Sequence, residues 1–268
     1  VSGYVQINGH PTWTTEAGHG AETVLMLHGG LSNSDLLDAI GVPIAVRHRV
    51  VAFDRRGHGR TADTDADFHY DDMVTETVGV LETVVGGRAH LVGWSDGGII
   101  ALLAAQRRPD LVGRMVIIGA NYHFNGIREM GSDGEPPEVF QSLAAAYAER
   151  SPDGPEHFEA VAQKSLTLFR SEPTMTLEDL AGIAAPTLVI SGDDDLPTLE
   201  HTVSLYEALP AGQLAVLPAA SHAVVLEKPA LVATLILEFL AQQLPPRTLM
   251  PNRRAQIPSA APLEEPRE

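Results

Sequence analysis

Gly93-Trp94-Ser95-Asp96-Gly97-Gly98 is the stretch on which the reading of this chain turns. It is a G-x-S-x-G set between a short apolar segment, Ala89-His90-Leu91-Val92, and a helix-compatible run from Ile99 to Ala105 that stops at Arg107-Arg108-Pro109. A serine on a sharp strand-to-helix turn has its hydroxyl pushed clear of the backbone. The flanking glycines are needed because a Cβ would clash where strand and helix nearly touch. In that context Ser95 reads as a nucleophile.

The same alternation continues on both sides. Upstream, Tyr4–Ile7 and Thr12–Thr15 predict a hairpin closed at Asn8-Gly9. Thr23–Leu27 reads as a buried strand ending in His28-Gly29-Gly30, and Leu36–Val46 as a helix. Val50–Phe53 is a second buried strand ending in Asp54-Arg55-Arg56-Gly57-His58-Gly59, a turn expected to be structural, and Tyr70–Val85 is helical. Downstream come a strand at Met115–Ile118, a strand at Thr187–Ile190, a helix at Leu199–Leu209, a strand at Leu214–Leu217 and a long helix at Pro229–Leu244. Residues 122–184 break the pattern, with Gly/Pro breaks at Gly131 to Pro137 and Pro152 to Pro155 and two helical stretches. The expectation is an α/β fold with a mostly parallel sheet covered on both faces. Its core would be residues 1–121 and 185–244, with a helical cap at 122–184 and a Pro-rich flexible tail at 245–268.

Composition excludes several functions. A formal charge of −17, with only two lysines among 18 basic residues, disfavours nucleic acid and anionic membranes as partners. Without cysteine there is no disulfide, thiolate metal site or thiol nucleophile. The 11 histidines show no ligand spacing such as H-E-x-x-H, so neither a metal nor another cofactor is expected. No leader-like segment or membrane-length apolar run is seen, and the expectation is a cytoplasmic protein, monomeric or homodimeric, acting on a small molecule.

A serine hydroxyl needs a general base, itself oriented by an acid. On this kind of sheet both follow late strands, in the order Ser, Asp/Glu, His. Thr187–Ile190 runs into Ser191-Gly192-Asp193-Asp194-Asp195, and Leu214–Leu217 into Pro218-Ala219-Ala220-Ser221-His222. The expected triad is Ser95, Asp195 and His222, with Asp195 chosen by its Gly-x-x-Asp spacing and Asp193 and Asp194 left as turn residues. The oxyanion hole is expected from the backbone N–H of Asp96 and that of Gly30, or of Leu31 as the fallback. Trp94, Leu31 and Asp96 are the expected substrate contacts. The cap aromatics Tyr122, Phe124, Phe140, Tyr147, Phe158 and Phe169 are candidate apolar lining, and His28 and His58 are expected to tie loops together.

From Thr23 to Leu244 the chain resembles the α/β-hydrolase superfamily, through His28-Gly29-Gly30, Asp54 to Gly59, Gly93 to Gly98, Gly192 to Asp195 and Ser221-His222. Gly93 to Ile99 followed by Met115-Val116-Ile117-Ile118-Gly119-Ala120-Asn121 is similar to the valacyclovir hydrolase (biphenyl hydrolase-like) family. That resemblance implies hydrolysis of α-amino-acid esters through a Ser-Asp-His triad, with Asp96 holding the substrate's ammonium group. The alternative role for Asp96 is a helix cap favoured by the dipole. The expected activity is hydrolysis of carboxylic esters through an acyl-enzyme. A carbon–carbon hydrolase of meta-cleavage products shares the fold and triad, but such enzymes usually carry a longer glycine run than His28-Gly29-Gly30-Leu31-Ser32. A perhydrolase, an acyltransferase and a non-catalytic ligand-binding scaffold are the remaining readings.

Overall fold

An opening hairpin, β1 (Ser2–Ile7) and β2 (His10–Ala17), turns at Asn8 and Gly9, whose φ values of 52° and 84° are those a tight two-residue hairpin requires. The computed structural model describes residues 1–128 and 138–252, apart from Pro245, Arg247 and the side chains of residues 138–140. The Gly131 to Pro137 breaks, Phe140 and the end of the tail lie outside the described residues. After the hairpin come β3 (Thr23–Leu27), α1 (Asp38–Ala45), β4 (Arg49–Phe53), α2 (Tyr70–Val80), β5 (Ala89–Trp94), α3 (Asp96–Arg107) and β6 (Val112–Ile118). Helices α4 (Glu138–Arg150), α5 (Phe158–Phe169) and α6 (Leu177–Ala181) intervene before β7 (Thr187–Asp194), α7 (Leu199–Ala208), β8 (Gly212–Ser221), α8 (Val224–Glu227) and α9 (Pro229–Ala241).

Among the described residues the strands form one sheet in the order β1-β2-β4-β3-β5-β6-β7-β8. The β1–β2 and β2–β4 pairs are antiparallel and the others parallel. The central strands read as continuous apolar runs because both faces are covered. Leu25, Leu27, Leu91, Met115 and Ile117 pack on one face with Val74 of α2 and Ile100 of α3. Val24, Met26, Val92, Val116 and Ile118 pack on the other with Ile40 of α1 and Ile236 of α9. Each such buried Val, Leu or Ile contributes about 1.5–3 kcal/mol relative to exposure. Beyond β3 the chain crosses to β4 on one side, and β5 lies on the other. The loops after β3 and β5 therefore open a crevice at the sheet's carboxyl edge, the usual ligand position in such sheets.

Three differences from the sequence reading are physical. Strands β7 and β8 run to Asp194 and Ser221, past their apolar segments, because their pairing continues through Gly192–Leu217 and, beyond a register shift, Asp194–Ser221. Helix α2 ends at Val80 and widens into a π-type turn at Leu81–Val85, closed by Gly86 at φ 84°. The last helix stops at Ala241, three residues short of expectation.

Helices α4 and α5 and the segment following α5 are tied to the loops after β3 and β4 by three carboxylates. Asp35 meets Arg150 at 2.9 Å, and Asp63 meets Lys164 at 2.7 Å and His157 at 3.0 Å. Glu172 accepts from the Tyr70 backbone N–H at 3.0 Å and bonds His69 at 2.7 Å. No helix among the described residues is long and apolar enough to cross a membrane.

Strand β5 and helix α3 meet at glycines: a Cβ on Gly97 would lie 2.0 Å from the Leu27 carbonyl oxygen, and one on Gly93 2.2 Å from that of Gly97. Gly97→Ala is expected to destabilise the protein by about 2 kcal/mol or more, since backbone has to move. Gly3, with nothing within 4 Å of its Cβ position, is the control. Urea denaturation of G97A and G3A measures the contrast, and equal midpoints would contradict the packing argument.

Candidate active site

Ser95 sits between the end of β5 and the start of α3 with φ 55° and ψ −120°, a strained conformation for a residue bearing a Cβ. Its N–H donates to the Ile118 carbonyl at 2.8 Å, and its own carbonyl accepts from Gly98 at 2.8 Å and Ile99 at 3.2 Å. The turn is thus held by β6 on one side and by the first turn of α3 on the other. The hydroxyl emerges at the sheet's carboxyl edge.

His222 reaches that hydroxyl from the turn after β8, with Nε2 3.0 Å from Ser95 Oγ. Its Nδ1 lies 2.7 Å from Asp195 Oδ1. Asp195 also accepts from the Leu196 N–H at 2.8 Å, and from the Gly192 N–H and Ser191 hydroxyl at 3.2 Å each. Burial pushes the Asp195 carboxyl upward, but the His222 contact and these backbone donors outweigh it and hold the group below its ordinary value. The three side chains expected together from sequence are therefore joined in a chain of two hydrogen bonds through His222. Asp193 makes a bond the sequence reading did not anticipate, accepting from Ala220 N–H on β8 at 3.1 Å, while Asp194 is exposed.

Two neighbours shape this chain of bonds. The Trp94 indole N–H donates to the His222 carbonyl at 2.9 Å, and the ring packs in the core face shared with α1 and α9. Expected at the substrate, Trp94 is only 8% exposed and braces the histidine turn. Gly119, at φ 58° just after β6, leaves room for the pair: a Cβ there would lie 3.2 Å from both Asp195 Oδ2 and His222 Nδ1. Its position directly after a strand of the expected parallel sheet was the only sequence signal for it.

On the opposite side of Ser95 lies the loop after β3. Leu31 is buried, with φ 54°. Gly30 packs so closely that a Cβ would lie 2.7 Å from both Asp96 Oδ2 and the Phe169 ring. Phe169 thus brings the end of α5 over this loop. Of the other candidate aromatics, Tyr122 stacks on His201, Phe124 on His123, and Tyr147 packs against Phe158. As the first residue of α3, Asp96 has a backbone N–H without an intrahelical acceptor, which leaves it able to face an anion.

The Asp96 side chain does not cap the helix; Oδ1 accepts from the Tyr70 hydroxyl at 2.9 Å and Oδ2 lies 3.8 Å from Arg55 Nη2. Burial is the largest influence on this carboxyl and raises it, with Arg55 and Tyr70 opposing. Arg55 is fully buried and donates to the carbonyls of His28 at 2.5 Å and Gly29 at 3.0 Å, while its backbone N–H donates to His28 Nε2 at 3.1 Å. His28 joins these loops as expected, through the Arg55 N–H, whereas His58 Nδ1 bonds within its own turn, 3.0 Å from the Arg56 carbonyl, and meets the loop after β3 only by packing its ring against that of His28. Asp54 receives the Ser34 N–H and hydroxyl and the Arg60 N–H, which fits a structural turn. Arg55 does not, since its guanidinium reaches the site. The overlooked signal was a charged residue at the carboxyl end of a buried strand. Among the described residues no group of three or more His, Asp or Glu is placed to hold a metal ion.

A strained serine, an imidazole and a buried carboxylate at the carboxyl edge of a wound sheet define a nucleophile-bearing hydrolase fold. The profile of the alpha/beta hydrolase family matches residues 24–235, and the chain belongs to that family. It is 27% identical over 241 residues to the human serine hydrolase BPHL, covering 83% of this chain and 80% of that one. It is 29% identical over 249 residues to the putative carbamate hydrolase RutD of Pseudomonas savastanoi pv. phaseolicola, covering 84% and 96%. Among solved structures, the meta-cleavage product hydrolase CumD of Pseudomonas fluorescens IP01 superposes with a TM-score of 0.71 at 23% identity, over 88% of this chain and 96% of that one, which speaks to fold alone.

The environment of Asp195 has a consequence for acid stability. A carboxyl held below its ordinary value of 3.8 contributes stability above that value and loses it as pH falls through the lowered one. Asp195→Asn does not titrate, so its melting temperature is expected to fall less steeply than that of the wild type across this acid window. Parallel curves would contradict the assignment.

Proposed function

We propose that this α/β-hydrolase is a serine hydrolase cleaving small carboxylic esters through an acyl-enzyme. The observation that carries the reading is the His222 imidazole, 3.0 Å from Ser95 Oγ and 2.7 Å from Asp195. An imidazole bonded on both sides is oriented to take a proton at Nε2 while the carboxylate stabilises the imidazolium.

In this mechanism Ser95 Oγ attacks the ester carbonyl and gives its proton to His222. The carbonyl oxygen, now anionic, is met by the N–H of Asp96 and that of Gly30, the latter on a loop that Arg55 fixes from behind. Collapse of the tetrahedral species expels the alcohol, protonated by His222. Water, deprotonated by the same imidazole, then attacks the acyl-Ser95 ester and frees the acid. Trp94 acts here through His222, whose backbone it anchors. The name of the human relative, a serine hydrolase, agrees with a serine nucleophile. The same proton path serves any acyl group able to reach Ser95, and an alkoxide leaves more readily than an amide nitrogen, which favours esters.

Turnover of a panel of p-nitrophenyl esters tests the proposal. The wild type is expected to release p-nitrophenol, and Ser95→Ala and His222→Ala each to lose about 10⁴-fold or more in kcat/KM. Turnover that survives in S95A, or no turnover of any ester by the folded wild type, would overturn it.

A further inference from the structure

Asp96 follows the nucleophile and carries a carboxylate, so the simplest expectation is that it attracts a cationic substrate. Its surroundings argue otherwise. The side chain is 5% exposed. One oxygen is taken by the Tyr70 hydroxyl, itself buried, and the other faces the Arg55 guanidinium at 3.8 Å. Gly30 and Phe169 close over that second oxygen. Arg55 has no route to solvent and spends its Nη donors on the His28 and Gly29 carbonyls, so its positive charge is fixed beside Asp96. Of the other carboxylates acting on Arg55, Glu76 of α2 accepts from the Arg56 N–H at 3.1 Å and burial pushes it up to about 7, while Asp54 is the weaker influence and is taken by Ser34 and the Arg60 N–H. Near neutral pH Glu76 is therefore partly uncharged, and Asp96 is the main counter-charge to Arg55.

We propose that Arg55 and Tyr70 neutralise Asp96 internally, so that this site selects esters with an uncharged acyl group, and that Arg55 is the specificity-determining residue. The inference rests on the ester-hydrolase reading and deepens it. Asp96 serves the reaction with its backbone N–H, while its side chain locks α2, α3 and the loops after β3 and β4 into one arrangement. Arg55 acts through that lock as a positioning residue. An incoming α-ammonium would have to compete with a guanidinium already in place, and two buried cations beside one carboxylate repel.

The test compares the p-nitrophenyl ester of L-valine with that of 3-methylbutanoic acid, which replaces the α-ammonium by hydrogen, at a pH where the amine is protonated. The readout is the ratio of kcat/KM for the charged over the uncharged ester, and comparing variants cancels the esters' different intrinsic reactivity. Asp96→Asn alone removes the counter-charge and leaves the Arg55 cation unbalanced, so it is expected to lower the ratio. Arg55→Met leaves the carboxylate without its cation and is expected to raise the ratio about tenfold or more, and R55M/D96N to return it to the wild-type value. A purely structural role for Arg55 would lower both esters together and leave the ratio unmoved, which would overturn the proposal. So would a ratio for R55M/D96N that stays about tenfold below the wild type, and Arg55→Gln, which keeps a polar group at the buried position, repeats both measurements if R55M does not fold. Failure of the ester-hydrolase reading looks different: neither ester is turned over by the wild type.

Discussion

The backbone of Ser95 is the constraint from which the site follows. A residue with a Cβ is held at φ 55° because β5 has to pass directly into α3, and the approach is close enough that Gly93 and Gly97 contact backbone where a side chain would sit. The strain is offset by the pairing of Ser95 N–H with β6 and by the first turn of α3. It yields a hydroxyl at the sheet edge and an unpaired N–H, that of Asp96, beside it. The other parts of the site are placed by where neighbouring strands end: β3 with the Gly30 loop, β4 with Arg55, β6 with Gly119, β7 with Asp195 and β8 with His222.

Two buried aspartates within this small volume have opposite environments. Asp195 is surrounded by donors and held below its ordinary value. Asp96 is dominated by burial, which raises it, and has one neutral donor and one cation for company. Identical side chains thus sit in opposite settings, one bonded to an imidazole and backbone N–H groups, the other beside a buried guanidinium and a phenol.

The parallel core was legible because its strands are buried on both faces and so read as unbroken apolar runs, as Thr23–Leu27 and Val50–Phe53 show. The hairpin was legible because Asn8-Gly9 is one of the few dipeptides that accept two positive φ values. The position of His222 followed from strand order, and that of Asp195 from strand order together with its Gly-x-x-Asp spacing. What sequence did not carry was side-chain direction across long separations. Arg55 and Tyr70 meet Asp96 only because β4, α2 and α3 converge, and Trp94 faces the histidine turn only because β5 presents alternate residues to opposite faces. The strand ends of β7 and β8 were missed because pairing, rather than hydrophobicity, extends them past Gly192 and Pro218.

A crystal structure of the protein after reaction with a fluorophosphonate ester tests the central geometry most directly. The expected result is a phosphorus–oxygen bond to Ser95 Oγ, the phosphonyl oxygen within hydrogen-bond distance of the Asp96 and Gly30 N–H groups, and His222 still bonded to Asp195. An adduct on any other residue, or a phosphonyl oxygen turned away from the Asp96 N–H, would contradict it.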